Sequence, residues 1–150
     1  MKIGFCHTGS DHFARNQDRC PPLDWWRPLW ATEGHEWHSL LVGHQVAQLV
    51  DLPANVIDRS KDVRDVADTK AIIETLDLII TVDTMLANLV GRMGRADWVI
   101  LGYAPDWRWR LKGLSAWHPT LRLFRQPALG DWGSVRAEII ESLGANGRAV

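Results

Sequence analysis

Asp83 and Thr84 stand at the end of an apolar run, Leu78-Ile79-Ile80-Thr81-Val82, and at the start of a segment whose apolar residues recur at helical spacing. A run in which only Thr81 is polar reads as a strand buried on both faces of a parallel sheet. Leu86, Leu89, Val90 and Met93 then fall at i, i+3, i+4 and i+7, a single stripe that a helix can lay on such a sheet. A helix that opens directly from a strand end turns its first, unpaired N–H groups toward the strand ends, where they can take an anion. The chemistry this pattern suits is phosphate binding, with Asp83, Thr84, the backbone at Met85 and, one turn on, Asn88 as candidates. The plainer alternatives are a helix N-cap for Asp83 and a solvated helix position for Asn88.

Two other segments should reach the same end of the sheet, because ligands of open parallel sheets sit beyond the carboxyl ends of the strands. One follows a first strand, Lys2 to Cys6, and carries His7, Gly9 and Ser10; the other follows a strand from Trp98 to Leu101 and carries Tyr103 to Asp106. His7 at a strand end could polarise a phosphate, although an isolated histidine is more often structural. His12, His35, His38, His44 and His118 lack metal-ligand spacing with acidic or cysteine partners, so no zinc site is expected. Asp106-Trp107-Arg108-Trp109 offers indole and guanidinium planes that suit a sugar or a base. Its favoured reading is nonetheless an Arg-Trp packing cluster that pins a long loop.

The remaining elements alternate. Pro21-Pro22 can open a helix through Trp25, Trp26, Leu29 and Trp30, closed at Gly34. "EWHSLLV" (36–42) is the second strand, a short helix runs through Val46, Leu49 and Val50, and "NVIDRS" (55–60) is the third strand. Asp68-Thr69 is the expected N-cap of a helix carrying Ile72, Ile73 and Leu76. After Trp98–Leu101 comes a loop of about 18 residues, long enough to suggest a functional or interface role. "LRLF" (121–124) is the last strand, and Asp131 caps a final helix through Trp132, Val135, Ile139 and Leu143, with Gly94 and Gly144 as C-terminal stops of their helices. Residues 144–150 are expected to fray. This alternation implies a three-layer α/β fold, a Rossmann-like parallel sheet with helices on both faces.

Composition narrows the function. A chain of 150 residues is most simply one domain, 1–150. With 17 basic and 18 acidic residues there is no basic excess to attract nucleic acid or an anionic membrane surface. Two cysteines make no disulfide framework, no apolar run is long enough to span a membrane, and no signal peptide is evident, so the expected compartment is the cytoplasm. Nine tryptophans against one tyrosine and three phenylalanines are too many for one small core, and several should meet solvent, a ligand or another protein. The Trp25, Trp26 and Trp30 face is read as core or subunit interface, so self-association is an alternative use of the chain.

The segments "DVADTKAIIETLDLIITVDTMLANLVGRMGRADWVILGYAPDWRW" and "WHPTLRLFRQPALGDW" resemble the C-terminal half of family-9-like glycosyltransferase domains, akin to the heptosyltransferases, that often follow tetratricopeptide repeats in bacterial proteins. "IGFCHTGSDHFARNQDRCPPL" is similar to that family's opening strand and loop, so the resemblance covers nearly the whole chain. It implies one half of a GT-B glycosyltransferase, the Rossmann-like domain that holds a nucleotide-diphosphate sugar without a metal or other cofactor. Carried over, Gly9, Ser10, Asp83, Thr84 and Met85 would face phosphate or sugar, and Arg19 would supply countercharge. The acceptor-binding half, a partner domain or a separate chain, would bring the catalytic carboxylate. Two departures weaken anion binding: Asn88 replaces the family's histidine, and Leu41-Val42 replaces a more polar pair. The competing reading is a non-catalytic module that uses a Trp-rich surface for protein contact.

Overall fold

The computed structural model describes residues 1–10, 12, 14 and 16–146. Six strands, β1 (Lys2–Cys6), β2 (Glu36–Ser39), β3 (Val56–Asp58), β4 (Leu78–Val82), β5 (Trp98–Leu101) and β6 (Arg122–Arg125), form one sheet in the order β3-β2-β1-β4-β5-β6. Every pairing is parallel. This is the doubly wound order, whose direction of winding reverses between β1 and β4 and opens a crevice above their carboxyl ends.

Alternation along the strands divides the core between two faces. Ile3, Phe5, Leu78, Ile80, Val82, Trp98 and Ile100 point to a layer made by α2 (Leu23–Trp30) and α5 (Trp132–Asn146). Cys6, Ile79, Val99 and Leu101 point to the opposite layer, made by α3 (Val66–Glu74), α4 (Met85–Arg92) and Trp109 from the β5–β6 loop. The remaining helix, α1 (Asn16–Arg19), lies in the β1–α2 loop.

The tryptophan-rich helix α2 is interior. Trp25, Trp26 and Trp30 are 5%, 0% and 1% exposed and pack with Phe5 and Trp37 through tilted and edge contacts, so this face is core and not a subunit surface. Among the described tryptophans, Trp107 and Trp117 are the strongly exposed pair, stacked edge to face on the β5–β6 loop.

Several expected boundaries move. Strand β2 stops at Ser39 because its register against β1 pairs Phe5 with Ser39, near the end of β1. Leu40 still donates its N–H to Phe5 O, and Leu40 and Leu41 stay buried. The segment expected to be a helix near Val46 is a 3-10 turn, Gly43–Gln48. Helix α3 starts three residues early, capped by Asp65, whose carboxylate accepts from Asp68 N; Asp68 instead binds the Arg64 backbone and guanidinium. The first tryptophan helix ends at Trp30, with Gly34 in a later left-handed turn. Asp131 does cap α5, accepting from Ser134 N at 3.0 Å. Gly144 does not end that helix, which continues to Asn146; of the tail expected to fray, 147–150 lie outside the described residues.

A buried ion pair ties the α4–β5 turn to the sheet. Asp97, 2% exposed, accepts from Ile79 N at 2.8 Å and from Arg95 Nε at 2.7 Å, while Arg95 Nη2 reaches Leu76 O at 3.0 Å.

Candidate functional site

The crevice between β1 and β4 is bounded by loops whose shapes follow from local sequence. At the β4–α4 junction Thr84 has extended φ/ψ, and its hydroxyl accepts from Leu86 N at 3.2 Å. The helix cap is therefore Thr84, not Asp83. Thr84 Oγ1 also lies 3.4 Å from Thr81 Oγ1, which ties the cap to the strand. Among the described residues, the N–H groups of Met85 and Ala87 find no hydrogen-bond acceptor, so the first turn of α4 keeps donors available to a ligand.

Across the crevice, the loop after β1 is braced by Gln45, which donates to Gly9 O at 3.2 Å, and by Asn16, which donates to Thr8 Oγ1 at 2.9 Å. Arg19 Nε donates to Asn16 Oδ1 at 3.0 Å, and its guanidinium lies directly against Gly9, where a Cβ would collide with it. Glycine at position 9 is what lets that cation approach the backbone.

Asp83 is 8% exposed and lies beside both loops. Burial pushes its carboxyl above the ordinary range, offset in part by the Trp109 indole and the charges of Arg19 and Arg108, with Asp106 pushing the other way. The Trp109 indole N–H does not close a hydrogen bond of ordinary geometry, so its effect on Asp83 is a loose one. Both nearby thiols are held protonated: burial takes Cys6 up to about 12 and raises Cys20 as well. Both pack within the hydrophobic core.

The cleft so formed has a volume of about 690 Å³ and is lined by Gly9, Ser10, Arg19, Asp83, Thr84, Met85 and Asn88, seven of the sequence-derived candidates, together with Leu41, Val42, Gln45, His12, His44 and Arg108. Tyr103 lies in an adjoining chamber of about 250 Å³ that shares Arg19, Asp83 and Arg108 with it. His7 is the candidate the fold turns away. It is 2% exposed, its Nε2 pairs with Gln48 Oε1 at 3.1 Å, burial lowers its basicity, and it lines neither chamber. A further depression of about 750 Å³ opens at the amino-terminal edge of the sheet around Met1, Lys2 and Asp77, away from the crevice.

Asn88 has a partner that sequence spacing does not reveal. Its Nδ2 donates to Thr84 O at 3.1 Å, and its Oδ1 meets His118 Nε2 at 3.3 Å. The His118 ring lies on Gly91, where any Cβ would overlap it, and burial together with Arg92 and Arg108 lowers its basicity. A neutral imidazole can donate to Asn88 Oδ1 and fix which way that amide faces. In the PDWRW segment the packing role is visible at Trp109, 1% exposed, whose carbonyl accepts from Arg125 at 2.6 Å. Arg108 and Asp106 instead face the chambers, paired at 2.8 Å. Among the described residues no cluster of three or more His, Cys, Asp or Glu side chains could hold a metal ion, and no helix is long and apolar enough to cross a membrane.

A six-stranded, doubly wound parallel sheet with a cleft at its switch point places the chain among Rossmann-like α/β domains. In fold it is similar to the structure of E. coli ADP-heptose LPS heptosyltransferase II, with a TM-score of 0.62 and 18% identity over 96% of this chain. The match corresponds to one half of that GT-B fold, since the chain spans 45% of that protein's length. By sequence the chain matches no family model and no curated protein.

Proposed function

We propose that this chain is a single glycosyltransferase-like domain that binds a nucleotide-diphosphate sugar in the crevice between β1 and β4. The observation that carries the reading is the pairing of two acceptor-less N–H groups, at Met85 and Ala87, with the Arg19 guanidinium held over Gly9 on the facing loop of a 690 Å³ cleft. A diphosphate satisfies both elements: helix-start amides and an arginine stabilise the charge that grows on it when the glycosidic bond breaks. Leu41, Val42, Met85 and Leu86 leave apolar wall for a nucleoside. Transfer to an acceptor hydroxyl also needs a base. Such a base would come from an acceptor-binding partner domain, the counterpart of the half of the heptosyltransferase that this chain does not match.

The test is calorimetric titration with UDP, ADP and GDP. One of them should bind, and Thr84→Trp, which fills the helix start, should abolish the binding while the far-ultraviolet circular dichroism stays unchanged. Undisturbed affinity in Thr84→Trp would remove the assignment. A second reading, protein contact or self-association through the β5–β6 loop, draws on Trp107 at 73% and Trp117 at 59% exposed, with Leu111 and Leu114 also exposed nearby in sequence. Sedimentation of Trp107→Ala/Trp117→Ala beside the parent chain decides it.

A further inference from the structure

The most exposed apolar side chains are gathered in one place. Among the described residues, four of the five most exposed large ones, Trp107, Leu111, Leu114 and Trp117, fall in the β5–β6 loop between 107 and 117. Elsewhere, exposed residues such as Val50 and Val66 are isolated in the sequence. The same stretch of loop holds Arg108, Arg110 and Lys112 and no acidic residue, so a chain with a formal charge of −1 concentrates cations here. Arg108 is paired with Asp106, whereas Arg110 and Lys112 are exposed and meet no carboxylate among the described residues.

The exposure is held in place by the backbone. Arg125 Nη2 donates to Trp109 O at 2.6 Å and to Gly113 O at 2.9 Å. The buried Ser115 hydroxyl donates to Arg108 O and accepts from Trp117 N and His118 N. Trp109 and His118 are themselves buried, so the loop is tacked to the domain between its exposed residues. Arg110 and Gly113, at φ +58° and +71°, bracket Leu111 and Lys112. A left-handed φ at a non-glycine residue is imposed by its surroundings. Trp107 and Trp117 stack at 5.9 Å, which joins the two ends of the exposed stretch.

A partner for this face must accept indoles, leucines and cations interleaved residue by residue. A second copy would set the same three cations against themselves. A bilayer with anionic headgroups suits all three groups: indoles settle at headgroup level, leucines enter the acyl boundary, and Arg and Lys pair with lipid phosphates.

We propose that the β5–β6 loop docks the domain on an anionic lipid surface, with Trp107, Leu111, Leu114 and Trp117 inserted and Arg110 and Lys112 on lipid phosphates. Such binding is peripheral and does not depend on the crevice taking a nucleotide sugar.

The test is co-sedimentation of the full chain with vesicles of phosphatidylcholine alone and of phosphatidylcholine mixed with phosphatidylglycerol. The mixed vesicles should bind the chain, added salt should weaken that binding, and phosphatidylcholine alone should bind far less. On the mixed vesicles Arg110→Gln/Lys112→Gln should lose roughly fivefold per charge. Leu111→Ser/Leu114→Ser should lose roughly tenfold or more, about the worth of burying one leucine. All four positions are exposed, so the circular dichroism of both variants should match the parent, and Val50→Ser/Val66→Ser should bind as the parent does. No binding to mixed vesicles, equal binding to both kinds, or loop variants that bind like the parent overturns the proposal. So does a dimer that forms without lipid and dissociates in Leu111→Ser/Leu114→Ser, since the face then belongs to a second copy.

Discussion

Replacing Gly9 with alanine puts one methyl group where the Arg19 guanidinium now lies. An ideal Cβ at position 9 overlaps Arg19 Nη2 and comes within 3.0 Å of Arg19 Cζ and of Asn16 Oδ1. Gly9 has no left-handed φ, so the backbone accepts alanine and the conflict is with side chains alone. The far end of an arginine moves at little cost, which limits the stability loss to about 1 kcal/mol or less, the low end for overpacking. Binding should suffer far more. If Arg19 supplies one charge-assisted hydrogen bond to the diphosphate, displacing it costs about 1.5–3 kcal/mol, or roughly 10- to 150-fold in Kd. Calorimetry with the nucleoside diphosphate that binds, paired with thermal melts of both proteins, measures the two effects. Arg19→Ala should reproduce the loss, and Gly9→Ala/Arg19→Ala should lose no more than either alone. Full affinity in Gly9→Ala would refute the role of Arg19, and so would a melting temperature that falls in step with affinity.

Three further outcomes are expected. Asp97→Ala should destabilise the domain by about 3 kcal/mol in urea unfolding, because it strands Ile79 N–H and a largely buried Arg95, and it should leave ligand affinity unaltered in the folded protein. Asp83 has a folded-state carboxyl raised by burial above its ordinary 3.8, so the stabilisation from protonating it is complete below 3.8 and lost as pH rises through the raised value. The melting-temperature advantage of Asp83→Asn over the parent should therefore grow across that window, and a pH-independent difference would show that Asp83 is not buried as described. Gly91→Ala should expel His118, cost about 1–3 kcal/mol, and return the depressed His118 titration toward its ordinary range in NMR. In a His118→Ala background the same substitution should cost much less.

The strands and the capped turn from β4 into α4 were legible because their signals are local. Leu78 to Val82 is apolar on both faces, and Thr84 caps a helix whose stripe begins two residues later. Errors arose where a tertiary partner decides. Strand β2 reads on to Val42 by hydropathy, yet β1 ends at Cys6, so beyond the Leu40 N–H to Phe5 O bond the strand pairing stops. The start of α3 was readable from Asp65-Val66-Ala67-Asp68, a cap spacing in which Asp65 serves Asp68 N and Asp68 serves Arg64 N. In the site, the residues at strand ends fell where period and loop position put them. His7 did not, because Gln48, 41 residues away, holds its ring. The His118 contact with Asn88 spans 30 residues and depends on Gly91 having no side chain, which no spacing rule reveals.

The position of Arg19 depends on a second glycine, and this ties the two chambers together. Helix α1 is wedged between the loop after β1 and the end of β5: Gly9 lies under the Arg19 side chain, and Gly102 packs against the carbonyl of Asp18, where a Cβ would have no room. A side chain at Gly9 meets the Arg19 guanidinium, whereas one at Gly102 meets the backbone of the same four-residue helix. Arg19 borders both chambers, as do Asp83 and Arg108, whereas Tyr103 and Asp106 border only the smaller. Gly102→Ala meets backbone and not a flexible side-chain end, so α1 must shift as a unit and carry Arg19 with it. It should thus weaken the diphosphate and also lower the melting temperature. That pattern is distinct from Gly9→Ala, where the arginine alone moves.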